Sequence, residues 1–120
     1  MLHGKVTEAV IGAAMMVINK LKPGLDEKLY ERALVIELTK RGHKVDQQKS
    51  FPVSYDRIEI GTLIPDLIVD DVVITDPKVV ADFNEAHIAQ IIGYLNITRL
   101  QVGLLINFKH SNLHWKRIVR

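Results

Sequence analysis

One stretch, residues 64–78, constrains the fold of this chain more than any other part of the sequence. It contains two short apolar runs that are separated only by Asp70 and Asp71. Two such runs around an acidic pair predict two antiparallel strands that are joined by a tight turn. Because both strands are hydrophobic, the sequence predicts that this hairpin is buried in the interior of the fold.

The segments around the hairpin alternate between helical and strand patterns. Before it, three- and four-residue apolar spacing predicts helices over residues 7–21 and 25–41, on either side of a Lys-Pro-Gly break at residues 22–24. One more helix is predicted over residues 82–98, and further strands are predicted over residues 44–48, 51–55, 58–64, 102–108 and 114–119. This order predicts an α/β (α+β) fold in which helices flank a central mixed β-sheet.

The two N-terminal helices are expected to pack as an antiparallel hairpin, because the connection between them is short. In the second helix, the spacing of Leu29, Ala33, Ile36 and Leu38 predicts that these side chains form the buried side. Gly42 is the expected C-terminal stop of that helix.

The size and composition of the chain exclude several classes of protein. Its 120 residues predict one domain, residues 1–120, and the lack of cysteine excludes disulfide frameworks and thiolate metal sites. No apolar run approaches the roughly 18 residues that a membrane span needs, so we expect a soluble, cytoplasmic protein. The net charge of +2 is too small to argue for nucleic-acid binding, which would require a local basic patch.

Charged residues stand at the outer end of the central hairpin. Asp66 precedes the first apolar run, Asp76 follows the second, and Lys78 comes two residues later, on the same strand face as Asp76. A two-residue turn between the strands would place the two carboxylates on opposite faces of the sheet. If the three groups form one site, the sequence therefore predicts a three-residue loop at residues 70–72 or a bulge near Pro65.

Two carboxylates and an ammonium group in this position fit metal-assisted chemistry. Mg²⁺ prefers oxygen ligands and keeps several waters, so two carboxylates with a backbone carbonyl are enough to hold it. A bound metal ion neutralises a phosphate and lowers the pKa of a water, and a nearby lysine can orient or deprotonate that water. The alternative from spacing alone is a surface hairpin with solvated acids and one ion pair.

Several motifs resemble those of one nuclease superfamily, in order along nearly the whole chain. Pro-Asp at residues 65–66, followed by Asp-Pro-Lys at residues 76–78, resembles the PD-(D/E)XK motif. Residues 24–30, Gly-Leu-Asp-Glu-Lys-Leu-Tyr, fit the signature that names the GxxExxY protein family, a branch of this superfamily. The later resemblances are to the following helix at residues 87–95, which contains the QxxxY pattern of RecB-like nucleases, to the late strand at residues 103–108, and to the ending at residues 117–119.

The resemblance implies a restriction-endonuclease-like core and a metal site at the end of the hairpin. It makes Asp66 and Asp76 metal ligands, with the Pro77 carbonyl as a further ligand, and it makes Lys78 the catalytic lysine. Members of the family usually have a hydrophobic residue where this chain has Pro77. Because proline cannot donate in a strand ladder, we expect an edge or a bulge at this position.

The resemblance also assigns roles outside the hairpin. Glu27 corresponds to the acid that the first core helix contributes in many such nucleases, either to the metal directly or through water. Gln90 and Tyr94 correspond to positions near the substrate phosphate or the active site, where they would orient the phosphate or the lysine. The implied function is a nuclease that needs Mg²⁺ (or Mn²⁺) and hydrolyses phosphodiester bonds in DNA, or in RNA. Because a chain of this size covers little nucleic acid, a homodimer is one possible assembly. The alternative is a catalytically degenerate nucleic-acid-binding or structural homo-oligomeric module that retains the fold.

The C-terminal segment is locally basic and contains the single tryptophan, Trp115. Its basic side chains are Lys109, His110, His114, Lys116, Arg117 and Arg120. This composition would allow contacts to a nucleic-acid backbone, with Trp115 stacking on a base. The alternative is a charged edge strand that resists edge-to-edge pairing. A zinc site at the two histidines is not expected, because a loop sequence separates them.

Overall fold

Three helices and seven strands make up the computed structural model, which describes residues 1–120. The helices are α1 (Gly4–Leu21), α2 (Glu27–Lys40) and α3 (Glu85–Thr98). The strands are β1 (Val45–Gln47), β2 (Phe51–Tyr55), β3 (Ile58–Leu63), β4 (Leu67–Val69), β5 (Val73–Lys78), β6 (Val102–Asn107) and β7 (His114–Val119). Every predicted element is present. None of the three helices combines the length and apolar character that crossing a membrane requires.

Five of the strands form one mixed sheet in the order β1-β4-β5-β6-β7. The β5–β6 pair is parallel, and the other three pairs are antiparallel. A parallel pair needs a crossover connection, which α3 provides between β5 and β6. The predicted central mixed sheet flanked by helices is therefore confirmed, and β5 lies in its middle.

The two faces of this sheet are covered by different helices. The α1–α2 hairpin covers one face, where the buried core includes Val10, Leu34, Val73 and Leu104. Helix α3 covers the other face, where the core includes Ile74, Ile91, Leu95 and Leu105. Because side chains alternate along a strand, Asp76 and Lys78 lie on the α3 face together with Ile74.

Helix α3 approaches β6 very closely at Gly103. A Cβ atom at this position would overlap Cγ2 of Ile91. Glycine is therefore required for this packing, and it fixes the height of α3 above the sheet. The start of α3 is set by Asn84, whose side chain accepts from the His87 amide while the His87 ring accepts from the Asn84 amide.

The predicted buried side of α2 is wrong in part. Leu29 and Ile36 are 43 % and 67 % exposed. The residues that α2 buries are Tyr30, Glu31, Leu34 and Leu38, so only Leu38 of the fully buried set was predicted. The helix has apolar residues on more than one side, and tertiary contacts of Tyr30 decide which side faces the core.

Tyr30 anchors α2 to the sheet and to the α1–α2 connection. Its ring stacks on Phe108 with the ring centroids 4.9 Å apart. Its hydroxyl donates to the Lys22 carbonyl at 2.6 Å and accepts from the Leu25 amide at 3.1 Å. The last residue of the 24–30 motif therefore has a structural role, because it satisfies a buried hydroxyl and holds the connection.

Strands β2 and β3 form a two-stranded ribbon outside the main sheet. Asp56 and Arg57 form its turn, both with positive φ values (49° and 66°), as a two-residue hairpin turn requires. The far part of the ribbon is open to solvent, since Tyr55 and Ile58 are 70 % and 68 % exposed. The ribbon leads directly into Pro65 and β4 and so precedes the central hairpin in the chain.

Candidate active site

The register of the central hairpin brings its two outer acids together. Strands β4 and β5 pair Val69 with Val73, so residues 70–72 form a three-residue loop. The predicted irregularity at these residues is confirmed. Continuing the same register places Asp66 directly opposite Asp76, with both side chains on the α3 face of the sheet.

The loop at the other end of the hairpin is held by residues that precede β1. Asp70 Oδ1 accepts from the Lys44 amide at 2.9 Å, and Asp70 Oδ2 lies 2.7 Å from His43 Nδ1. Lys44 Nζ donates to Asp71 Oδ1 at 2.8 Å. Both aspartates have positive φ values (51° and 62°), which aspartate tolerates better than most residues. The acids at this end therefore shape and fix the turn.

Pro77 is accommodated in β5 because of the direction in which its nitrogen points. The Lys78 carbonyl accepts from the Phe108 amide at 2.9 Å, so the backbone polar groups of Lys78 and Asp76 point towards β6. Those of Pro77 point the other way, where the register places Pro65 opposite, and neither proline has an N–H to donate. The β4–β5 ladder ends before these prolines. At Pro77, β5 is therefore unpaired on the β4 side although it remains paired with β6, and the Pro77 carbonyl has no ladder donor.

Asp76 is the most deeply buried acid of the chain, with 2 % of the residue exposed. Lys78 Nζ lies 3.2 Å from Asp76 Oδ2, whereas Asp76 Oδ1 is buried without any hydrogen-bond partner. Burial, together with the neighbouring Asp66 carboxyl, raises the pKa of Asp76 to about 7, against the opposing attraction of Lys78. Asp66, Asp76 and Lys78 thus form one compact charged group.

Helix α3 places Tyr94 beside this group. Partial burial and the negative charges of Asp76 and Asp66 raise the pKa of the Tyr94 hydroxyl. Gln90 Nε2 donates to the Tyr94 hydroxyl oxygen at 3.0 Å, so the hydroxyl hydrogen of Tyr94 is left free to donate elsewhere. The two residues of the predicted QxxxY pattern therefore act as a pair, with Tyr94 the member near the acids.

The comparison with known families covers nearly the whole chain. The sequence profile of the PD-(D/E)XK nuclease superfamily matches residues 4–118. The chain belongs to the PD-(D/E)XK nuclease superfamily. No curated protein and no solved structure matches it. Membership in this superfamily suggests nuclease activity, whereas the GxxExxY branch is not distinguished by this match and stays a prediction.

The acids of this PD-(D/E)XK chain fit a hard divalent cation. A buried carboxylate oxygen without a partner costs free energy unless a cation or a donor meets it, and Asp76 Oδ1 is such an atom. Asp66 and the Pro77 carbonyl offer further oxygen ligands at the same open end of the hairpin, which suits Mg²⁺ or Mn²⁺. No group of three or more His, Cys, Asp or Glu side chains is arranged to hold a metal ion. Waters would therefore complete the coordination.

Glu27, the acid expected from the first core helix, is not joined to this group. It is the first residue of α2 and is partly exposed. Helix α2 packs on the face of the sheet opposite to that of the Asp76 side chain, so Glu27 would have to reach around the open end of the hairpin. The buried acid of α2 is Glu31, whose Oε2 pairs with Lys28 Nζ at 3.3 Å. The role of Glu27 stays a prediction.

Asn107 is a buried residue of the site region that was not predicted from the sequence. It is the β6 partner of Lys78, and only 1 % of it is exposed. Its Nδ2 donates to the Val80 carbonyl at 2.7 Å, and its Oδ1 accepts from the amides of Val80 and Lys109 at 3.2 and 3.0 Å. Asn107 thereby holds the chain that leaves Lys78. The available signal was one polar residue in an otherwise apolar run.

Proposed function

We propose that this protein is a Mg²⁺-dependent nuclease that hydrolyses phosphodiester bonds in DNA or RNA at the group formed by Asp66, Asp76 and Lys78. The observation that carries the proposal is the buried Asp76 carboxylate, which has one oxygen without a partner and faces a second carboxylate. A fold selected for stability alone has no reason to retain such a pair, since each unpaired buried charge costs free energy. Superfamily membership supports the phosphodiester as the bond that is cut.

Asp66 and Asp76, together with the Pro77 carbonyl, would hold Mg²⁺ or Mn²⁺. The ion, when bound, would neutralise charge on the scissile phosphate and so favour nucleophilic attack. Asp76 would supply an oxygen ligand in a fixed position, because β5 is paired on the β6 side and the side chain lies on the face that α3 covers. Asp66 is more exposed than Asp76 and lies on the side from which a substrate would approach.

Lys78 is suited to orient the attacking water. Its Nζ is fixed at 3.2 Å from Asp76 Oδ2, and 15 % of its side chain is exposed, so the ammonium group is both held and reachable. From this position Nζ can donate to the attacking water or to negative charge that develops on the phosphate. The β6 partner Asn107 keeps the backbone of Lys78 in place.

Tyr94 and Gln90 would orient the phosphate. Since Gln90 donates to the Tyr94 oxygen, the Tyr94 hydroxyl hydrogen is available for a phosphate oxygen. The raised pKa of Tyr94 means that this hydroxyl stays protonated at neutral pH and can act as a donor. Any assistance from Glu27 would have to pass through water around the open end of the hairpin, because α2 packs on the opposite face of the sheet.

A second candidate function is nucleic-acid binding without cleavage, by a module that has lost the chemistry. The observation in its favour is that no third acid joins Asp66 and Asp76. In this alternative Asp76 and Lys78 are a buried ion pair that remains from a nuclease ancestor. The two candidates differ in one outcome, which is whether nucleic acid is cut when a divalent metal ion is added.

The experiment that separates them uses circular and linear substrates. Supercoiled plasmid, circular single-stranded DNA and a linear RNA are incubated with the protein in Mg²⁺, in Mn²⁺ and in EDTA, and cleavage of a circle identifies endonuclease action. We expect metal-dependent cleavage that Asp66→Ala and Asp76→Ala abolish and that Asp71→Ala, the matched control at the other end of the hairpin, retains. Binding that is equal with and without metal, and no cleavage of any substrate, would favour the second candidate. Light scattering on the same preparation tests whether the protein forms the possible homodimer.

A further inference from the structure

The last part of the chain carries positive charge and no acids at all. Residues 86–120 contain five Lys or Arg and three His, but no Asp or Glu, so this segment carries +5 while the whole chain carries only +2. Its Lys and Arg residues are Arg99, Lys109, Lys116, Arg117 and Arg120. None of them belongs to the group around Asp76, so the proposed chemistry does not explain this charge.

An open hollow of about 400 Å³ lies where the edge strand β7 begins. Its lining consists of Phe83, Leu113, His114 and Trp115. Trp115 is 43 % exposed, which is a large exposed fraction for an indole ring. The His110 ring lies 5.0 Å from the His114 ring, and His87 packs edge-on against Phe83 with ring centroids 6.4 Å apart. Flat rings therefore dominate this part of the surface.

The hollow lies close to the candidate active site along the sheet. Lys78 pairs with Asn107 and Asn107 pairs with His114, so these three residues form one row across β5, β6 and β7. Neighbouring strands are about 4.8 Å apart, which places the His114 backbone roughly 10 Å from that of Lys78. The three side chains share the α3 face, to which Lys116 also belongs. The Trp115 side chain, paired with Ile106 of the α1–α2 core, is on the other face, so residues of both faces line the hollow at the edge of the sheet.

We propose that this hollow binds one unpaired base of a single-stranded nucleic acid, whose phosphates pass Lys116, the β7 residue that lies in the same row of the sheet as Asp76. This inference rests on the proposed nuclease function and narrows its substrate to a strand that is unpaired beside the cut. Every base has a flat face that can stack on Trp115, whereas a base within a duplex is already stacked and paired. Lys116 and its basic neighbours supply the charge that a phosphate backbone requires.

Charge also indicates on which side of the hollow the phosphate backbone of the nucleic acid would lie. The acids nearest to the hollow in sequence, Asp82 and Glu85, are exposed in the loop before α3 and in its first turn, beside Phe83. They would repel phosphates on that side, so the backbone is expected on the β7 side. A role for β7 as a charged edge that prevents aggregation would account for its lysine and its arginine. It would not account for an exposed tryptophan in a ring-lined hollow.

Trp115 is the only tryptophan of the chain, so its fluorescence reports directly on the hollow. The protein is titrated in EDTA, which prevents cleavage, with a short oligo(dT) strand and with a blunt dA·dT duplex of the same length. We expect the single strand to quench the fluorescence and the duplex to leave it unchanged. Affinity is measured separately by the anisotropy of a labelled strand. Trp115→Ala should weaken binding of the single strand by about 5- to 100-fold, the range for loss of one stacked base.

Two variants serve as controls for this measurement. Trp115→Phe keeps a flat ring and should retain most of the affinity, which separates stacking from a general loss of structure. Tyr55→Ala removes another exposed aromatic side chain, from the β2–β3 ribbon, and should bind as the unmodified protein does. Absence of quenching, or equal affinities of Trp115→Ala and Tyr55→Ala, would overturn the proposal.

The same oligo(dT) strand distinguishes this failure from a failure of the nuclease function. If Mg²⁺-dependent cleavage is observed and Trp115 is neither quenched nor needed for affinity, the nuclease stands and the base-binding hollow is wrong. If the strand quenches Trp115 and Trp115→Ala weakens its binding, but no metal ion supports cleavage, the hollow stands and the nuclease function is wrong.

Discussion

The two ends of the β4–β5 hairpin each carry a pair of aspartates, and the two pairs differ in their burial and in their hydrogen-bond partners. At the closed end, Asp70 meets His43 and the Lys44 amide, and Asp71 meets Lys44 Nζ. At the open end, Asp76 is buried against another carboxyl group, and one of its oxygens has no partner. The hydrogen bond from Lys44 lowers the pKa of Asp71, whereas burial raises that of Asp76.

The difference separates acids that stabilise the fold from acids that are placed to bind a ligand or a metal ion. The closed-end aspartates complete a loop whose two positive φ values they tolerate, and solvent and cations satisfy their charge. The open-end pair adds negative charge to a buried position, which is unfavourable for the protein alone. Unfavourable electrostatics of this kind are typical of sites that bind a ligand or a metal ion.

The largest expected effect is on catalysis, and it should occur at one end only. Asp76→Asn removes the carboxylate with little change in shape, and kcat/KM for nucleic-acid cleavage should fall by more than the roughly 100-fold that loss of an outer partner of a metal ligand costs. Asp71→Asn, which removes a carboxylate at the closed end, should retain activity within about twofold, because exposed ion pairs contribute little. Initial rates in Mg²⁺ measure both. Equal losses in the two variants would mean that the ends are not functionally distinct.

The lysines of the two ends provide a second comparison. Lys78→Met should lower kcat by about 100-fold, near the lower end of the range for groups that assist proton transfer, with a smaller change in KM. Lys44→Met, which removes the cation that pairs with Asp71, should leave kcat nearly unchanged. If Lys78→Met raises KM and leaves kcat unaltered, Lys78 binds substrate and does not orient the water.

Loss of the Asp76 carboxylate should lower activity but should raise the stability of the metal-free protein at alkaline pH. The pKa of Asp76 is about 7 in the folded state, whereas an unperturbed aspartate has a pKa of 3.8, so the folded state holds the proton more tightly than the unfolded state. Stability should therefore decrease as pH rises from about 4 to about 7, and this decrease should be smaller in Asp76→Asn. Urea unfolding in EDTA at pH 5 and pH 8 measures the free energy of unfolding. We expect Asp76→Asn to be more stable than the unmodified protein at pH 8, by about 1–3 kcal/mol.

The smallest effects are expected at the closed end. Asp70→Ala removes the acceptor for the Lys44 amide and the contact to His43, and should destabilise the protein by about 1–2 kcal/mol. Asp71→Asn should destabilise the protein less than Asp70→Ala does, because both members of its ion pair are more than half exposed. Thermal unfolding curves are sufficient for this ranking. A larger loss in Asp71→Asn than in Asp70→Ala would contradict the assigned role of Asp70.

Much of the site could be predicted because strand geometry is strict. Side chains alternate along a strand, so Asp66 and Asp76 could share a face only if the loop had three residues, and the structure has such a loop at residues 70–72. The same rule placed Lys78 beside Asp76. The order of helices and strands followed from periodicity, since each helix repeats its apolar spacing over several turns and the strands alternate or run apolar between turn residues.

Other features of the fold and the site depend on tertiary contacts, which cannot be predicted from the periodicity of the sequence. The buried side of α2 is set by the stacking of Tyr30 on Phe108, which is 78 residues away in sequence. The fit of Pro77 depends on which neighbouring strand its nitrogen faces, and that follows only from the sheet order. Glu27 was assigned by resemblance, but its distance from Asp76 depends on the face on which α2 packs.

The most direct measurement is the binding of Mn²⁺ and Mg²⁺ to the protein without nucleic acid, by isothermal titration calorimetry at pH 8. We predict one site of divalent-ion binding that Asp76→Asn loses and that Asp71→Asn keeps, because only the open end of the hairpin has a buried carboxylate oxygen without a partner. Binding of equal strength in both variants, or no binding by the unmodified protein, would contradict the assignment of Asp66 and Asp76 as metal ligands.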